Sequence, residues 1–278
     1  MDRKDIPIDV VDLLPVLDQK LIELLKSLSP EEWNKPTVAK LWRVKDVAAH
    51  LLDGNIRILS VFRDHYVGDP PEKIEQYSDL VNYLNKLNAD WVKAMKRVSP
   101  QMLIQLHEIT GPLYCQLNRS LKPFDDSPFS VAWAGETVSK NWKHMAREYT
   151  EKFLHQQQIR EAVNKPGLMT RELFYPFIDT LMLALPHTYR NVKAENGTTV
   201  KLNVTTEIGG SWYLVANENQ WSLTKDASTC DTEIIIHPDT AWKLFSKSLS
   251  PEEIINDVIL KGNFELGKIA LNMVSVMA

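Results

Sequence analysis

Residues 44–66 read VKDVAAHLLDGNIRILSVFRDHY. Apolar side chains recur there at steps of three and four, the spacing that lines one face of an α-helix. Gly68 and the pair Pro70-Pro71 follow directly and mark its end. His50 stands in the most apolar part, between Val47-Ala48-Ala49 and Leu51-Leu52. A helix this apolar on one face needs partners, and the flanking sequence supplies them.

Upstream, residues 8–28 repeat apolar positions at helical spacing, with Pro15 best placed near the helix start. Ser29-Pro30-Glu31-Glu32 then reads as a capping box with proline in the first helical position. Downstream, residues 78–98 form a third helix, and Ser99-Pro100 restarts a short one through Leu106. The last and longest helix covers residues 131–163. Four principal helices joined by capped or Pro-rich turns predict an antiparallel four-helix bundle.

The periodicity changes after Asn164-Lys165-Pro166-Gly167. An amphipathic helix over 170–185 leads to alternating residues around Asn196-Gly197, a hairpin signal because both turn positions need positive φ. Strands are expected over 212–216, 221–224 and 232–236, and helices over 239–247, 251–261 (capped by Ser250 and Glu253) and 264–277. The expected architecture is α plus α/β in two domains, a bundle over 1–166 and a small α+β domain over 167–278.

The chain has 278 residues, and its 32 Lys and Arg against 36 Asp and Glu give a net charge of −4. That balance lacks the concentrated basic surface of a nucleic-acid binder. Cys115 and Cys230 fall in different domains and make no disulfide framework, which suits a reducing cytoplasmic setting. Both read as small structural residues. The opening MDRKDIPIDVVDLL has early acids and no signal-like apolar core. The most apolar stretch, residues 173–186, contains Asp179 and prolines and falls short of the ~20 residues a span needs. No membrane partner is expected, and neither a phosphate-binding glycine loop nor a serine-nucleophile elbow is present.

The chemistry concentrates on three residues. Glu151 and His155 are four apart, so their side chains leave one helix face a turn apart and can meet one ion. His50, inside the bundle, is the best third donor. Three protein donors with an open position are what a catalytic zinc uses. A Glu-x-x-x-His pair is also a common surface pair, and a lone His among alanines and leucines is commonly a hydrogen-bonded core residue. The same face carries His144 and Glu148, as a polar channel wall or a solvated stripe. Glu148 is a candidate to orient a ligand or act as a base.

The segment from Leu41-Trp42-Arg43 to His50-Leu51 resembles the tryptophan-to-histidine motif of DinB-like metal-binding bundles. Glu151 to Arg160 is similar to the second ligand motif of the mycothiol-dependent maleylpyruvate isomerases. The ending, from Leu260 to Met277, resembles the terminal helix of a sterol-carrier-like domain. The resemblance implies a DinB-like bundle followed by such a domain, with His50, Glu151 and His155 holding Zn2+ or another divalent metal. It implies a low-molecular-weight thiol such as mycothiol as second cofactor, and an isomerase or S-transferase acting on a small electrophile. A metal-dependent hydrolase using bound water, or a non-enzymatic protein holding an apolar ligand, uses the same frame. Two departures matter. The branch's arginine from the second domain has no counterpart after Arg190, leaving Lys201, Lys225 or Arg57 to bind substrate carboxylates. Gln158 stands where the branch often has aspartate, three residues after the second histidine.

Overall fold

The computed structural model describes residues 3–71, 73–218, 220–227 and 230–275. They fall into two compact units, one containing residues up to Pro128 with Lys140–Leu168, the other Phe129–Ser139 with residues from Met169 on. The first is helical and the second is a mixed sheet with helices, a two-domain α plus α/β protein.

The first unit holds α1 (Leu14–Lys26), α2 (Val44–Ile58), α3 (Tyr77–Met95), α4 (Pro100–Ser120) and α5 (Asn141–Val163). Helix α2 packs on α4 and α5, and α1 packs on the same two, closing a four-helix ring with α3 laid against α2. The bundle is therefore built from α1, α2, α4 and α5. This corrects the expected short helix ending at Leu106. Pro112 lies inside α4 without ending it, because Leu103, Ile104, His107, Gly111, Tyr114, Cys115 and Asn118 all sit on its buried side. One lost backbone hydrogen bond is outweighed by that burial. The last helix begins at Asn141, not near 131. Gly135 there adopts left-handed backbone at φ +80, and the Ser139 hydroxyl accepts from the Val131 N–H at 2.8 Å, so the approach is a folded turn. Pro15 sits in the first turn of α1 as expected. The Ser29–Glu32 capping box forms, but it heads only a single 3-10 turn.

The second unit begins with α6 (Arg171–Leu181) and α7 (Leu185–Thr188). Its strands are β1 (Thr199–Val204), β2 (Gly210–Asn217), β3 (Gln220–Thr224), β4 (Thr232–Ile236) and β5 (Val258–Gly262). They form one sheet in the order β3-β2-β1-β4-β5, with β1 and β4 parallel and the other pairs antiparallel. Helices α8 (Pro238–Phe245), α9 (Pro251–Ile254) and α10 (Phe264–Ala270) complete it.

Two sequence expectations fail here. Asn196-Gly197 makes a turn, with Gly197 at φ +87, but no strand precedes it. The Gly197 N–H bonds the Ala216 carbonyl, so the turn caps the β1–β2 ladder. The helix expected over 251–261 stops after one turn. The Ser250–Glu253 box forms, yet Val258, Ile259 and Leu260 pair with β4 as an edge strand. Branched residues beside an unpaired strand edge favour the sheet over a helix. The C-terminal helix ends at Ala270, and the end of its expected range at 276–277 lies outside the described residues. Among the described residues no helix is long and apolar enough to cross a membrane.

Candidate metal centre

His50 sits in the middle of α2, where two hydrogen bonds to the backbone just before it hold the helix in place. The buried His107 ring on α4 bonds the Ala48 carbonyl through Nε2 at 2.9 Å. The Trp91 indole N–H on α3 donates to the Ala49 carbonyl at 2.8 Å. At the helix start the Asp46 carboxylate accepts from the Arg43 N–H at 3.1 Å, which sets the first turn.

Helix α5 distributes its motif over two faces. Lys152, Gln156 and Arg160 turn into the bundle. Gln156 donates to the Leu17 carbonyl at 2.9 Å, and Arg160 donates to the carbonyls of Lys20, Lys165 and Pro166. These contacts tie α5 to α1 and fix its rotation. Glu151, His155 and Gln158 then share the other face, at steps of four and three.

One donor atom from each of His50, Glu151 and His155 lies within 4.8 Å of the others. Ligands on one zinc lie roughly 3.4 Å apart, given bonds of ~2.1 Å and tetrahedral angles. The rings of His50 and His155 meet edge to face with centroids 4.5 Å apart, and Trp42 walls the pair at 4.8 Å from His50 and 6.1 Å from His155. Burial, then the neighbouring His155, Arg57 and Lys152, push the His50 imidazole well below its usual range. It is therefore neutral, which is the form that binds a cation.

Two features show that the trio fits a divalent cation. The His50 Nδ1 is enclosed and has no hydrogen-bond partner. His155 has an oxygen at each ring nitrogen, Gln158 Oε1 at 2.9 Å from Nδ1 and Glu151 Oε2 at 3.2 Å from Nε2. A neutral imidazole has one N–H to give, so with Nδ1 donating to Gln158 a lone pair faces the Glu151 carboxylate. A cation on that edge would meet the carboxylate and the imidazole together.

The stripe continues along α5 as a buried surface. His144 is fully buried, stacked on Phe62 at 4.7 Å, and pushed by burial to about 3. Phe62 belongs to a π-helical turn, Leu59–Arg63, that extends α2. Glu148 accepts from the Tyr114 hydroxyl and from Arg147, both at 3.1 Å. Burial works to raise its carboxyl, but His144, Arg147, Arg57 and Lys152 outweigh burial and hold it below the usual value. Glu148 is a fixed, charged acceptor. Lys152 donates to the Leu51 carbonyl at 3.1 Å and to the Asn55 side chain, with its ammonium 4.6 Å over the Tyr114 ring.

Of the three cations considered for substrate carboxylates, Lys201 pairs with Glu233 at 2.8 Å and Lys225 with Asp179 at 2.7 Å. Arg57 makes no hydrogen bond or ion pair among the described residues, and it follows His50 by seven residues on α2. Cys115 is buried, its thiol raised by burial to about 12, whereas Cys230 is exposed.

Residues 14–160 match the family model of the mycothiol maleylpyruvate isomerase N-terminal domain. The chain belongs to this family. Across 90% of its length the structure also resembles the crystal structure of a mycothiol-dependent maleylpyruvate isomerase, with a TM-score of 0.54, 10% identity and 91% of that chain covered. A histidine-to-alanine variant of the isomerase matches over the same shares at 9% identity and a TM-score of 0.54. At these identities the likeness speaks for the fold. The ubiquinone synthesis protein UbiJ-SCP2 matches 37% of this chain and all of its own at 14% identity, but its TM-score of 0.26 adds nothing to that. No curated protein matches the chain.

The sequence pointed to His50, Glu151 and His155, and the fold brings them together. Trp42 as a wall of the site, and His107 and Trp91 as supports of α2, were missed. A helix-bound histidine or an indole gives no sign in sequence that it will reach a carbonyl on another helix.

Proposed function

We propose that this protein is a divalent-metal enzyme that uses a low-molecular-weight thiol to isomerise, or to S-substitute, a small electrophile bearing a carboxylate. The observation that carries the reading is the convergence of His50, Glu151 and His155 within 4.8 Å. The family supports it through the structural neighbour, whose name specifies mycothiol and maleylpyruvate. A cation held there, zinc above others for this donor set, would acidify a thiol at its open position. In isomerisation the thiolate sulfur adds to an activated C=C bond, making a C–S bond and an enolate. Rotation about the resulting single bond and expulsion of the thiolate then restore the double bond as the trans isomer. In substitution the sulfur instead displaces a leaving group, which departs with its electron pair.

The chain's own residues divide the remaining work. His50 and His155 offer imidazole nitrogens, that of His50 neutral, and Glu151 the single carboxylate. Glu148 orients Arg147 and Tyr114 along the stripe, because a carboxylate held low and doubly bonded is a poor general base near neutral pH. Arg57, which makes no hydrogen bond or ion pair among the described residues, receives the anionic group of the substrate. A thiol cofactor suits a reducing cytoplasm.

The test is elemental analysis of the native protein followed by a thiol-dependence assay over a panel of electrophiles. Zinc near one per chain, lost in His50→Ala, and turnover that requires thiol are expected. Undiminished zinc in His50→Ala removes His50 as a ligand, and turnover without thiol replaces this reading with hydrolysis.

A further inference from the structure

Gln158 is buried on the face of α5 that carries Glu151 and His155, one turn beyond the second histidine. Its side-chain oxygen lies 2.9 Å from the His155 Nδ1. An imidazole that binds a cation through Nε2 must keep its proton on Nδ1, and that proton needs an acceptor. Turned the other way, the amide NH2 would face Nδ1 and force the proton onto Nε2, the edge beside Glu151. An amide oxygen also carries no net charge, unlike a carboxylate.

We propose that Gln158 is a positioning residue of the metal centre. Its oxygen accepts the His155 Nδ1–H, aims the Nε2 lone pair at the cation, and leaves Glu151 as the only negative charge among the donors and their partners. The consequence is a centre that keeps one net positive charge and so favours an anionic fourth ligand over a neutral one. A carboxylate at 158 would hold the cation harder and reward an incoming thiolate less. The two effects therefore have opposite signs, which loss of packing cannot imitate.

The inference rests on the proposed metal site, and the experiment separates the two. Cobalt and zinc affinities are measured by chelator competition in the wild type, Gln158→Met and Gln158→Glu. Each is also titrated, cobalt-loaded, with 2-mercaptoethanol, following the thiolate-to-cobalt absorption. Methionine fills a similar volume without the acceptor, and metal-free melting of each variant reports packing separately. Gln158→Met is expected to bind either cation about 10- to 100-fold more weakly, the usual cost of removing a ligand's hydrogen-bond partner. Gln158→Glu is expected to bind cation about tenfold more tightly, yet 2-mercaptoethanol several-fold more weakly, than the wild type. Metal affinity in Gln158→Met within about threefold of the wild type overturns the proposal, as does a Gln158→Glu variant that tightens both ligands or loosens both. A wild type that takes up neither cation overturns the metal site itself and this inference with it.

Discussion

Helix α5 and strand β4 are both buried, and they are buried in opposite ways. Seventeen of the 23 residues in α5 are buried, and among them are His144, Glu148, Lys152, Gln156, Gln157, Gln158 and Arg160. In β4 the residues alternate, with Ile234 and Ile236 enclosed between half-buried neighbours, and β1 answers with Val200, Leu202 and Val204. The strand gains from area removed from water, which any side chain of similar shape supplies. The helix holds polar groups that are costly to bury without a partner, so Glu148, Lys152, Gln156 and Arg160 each depend on an atom of another helix, at Tyr114, Asn55, Leu17 and Lys20. Apolar burial tolerates substitution, whereas polar burial specifies one arrangement, and the candidate site is on the element that specifies.

The contrast breaks first at Asn55. Its amide donates to the Thr110 hydroxyl at 3.0 Å, and its oxygen takes the Lys152 ammonium. Asn55→Ala leaves a buried cation short of an acceptor and is expected to cost about 3 kcal/mol or more in urea unfolding. Adding Lys152→Met should recover much of that loss, since a well-packed apolar group often replaces a buried charge without penalty. A cost under about 1 kcal/mol for Asn55→Ala would show that the polar groups of the bundle do not depend on one another.

Glu151→Gln separates stability from site chemistry. The Glu151 side chain is about one-third exposed and among the described residues it meets His155, so the melting temperature of the metal-free protein should hardly move. Zinc affinity should fall by more than about 100-fold, or ~2.7 kcal/mol, because the donor set loses its only charge. Equal zinc uptake by the variant in a chelator competition would remove Glu151 from the centre.

Much of this was legible in the sequence because it depends on spacing along one helix. Glu151 and His155 are neighbours on any α-helix, and His50 could point only inward from so apolar a segment. The errors came where a local signal met a longer-range competitor. The helix expected to end at Leu106 runs on through Pro112 because the buried face of α4 continues on both sides of it. Ser250 and Glu253 promise a helix, but β4 offers Val258–Gly262 a strand partner. Asn196-Gly197 turned with positive φ at Gly197 but not at Asn196, and the strand that would make it a hairpin was absent. Lys201 and Lys225 looked like free cations because Glu233 and Asp179, which neutralise them, are 32 and 46 residues away in sequence.

Acid should weaken the metal-free bundle through its buried histidines, His107 and His144 as well as His50. Burial lowers His107 to about 4 and His144 to about 3, from 6.5. The folded state therefore binds fewer protons than the unfolded one between those values and 6.5. The stability of both is fully present above 6.5 and is lost as pH falls toward 4 and 3. Each contributes about 1.4 kcal/mol per pH unit well inside its window. Denaturant unfolding from pH 7.5 to 4.5 should show that slope, and His107→Gln, which keeps a donor for the Ala48 carbonyl, should reduce it by one proton's share. An unchanged slope in His107→Gln would mean that His107 is not held neutral.

The smallest effect belongs to the sheet. Ile234 is fully buried, level with Leu202 on β1 and Leu260 on β5, and α10 comes close at Gly267, where a Cβ would lie 3.8 Å from its Cγ1. Ile234→Val removes one methyl group and no hydrogen bond. Leu202 and Leu260 have rotamers with which to follow the vacated volume. The expected cost is about 1 kcal/mol in urea unfolding, with no change in zinc affinity. A loss as large as that of Asn55→Ala would show that the sheet is as exacting as α5, and the difference between apolar and polar burial drawn from the two elements would fail.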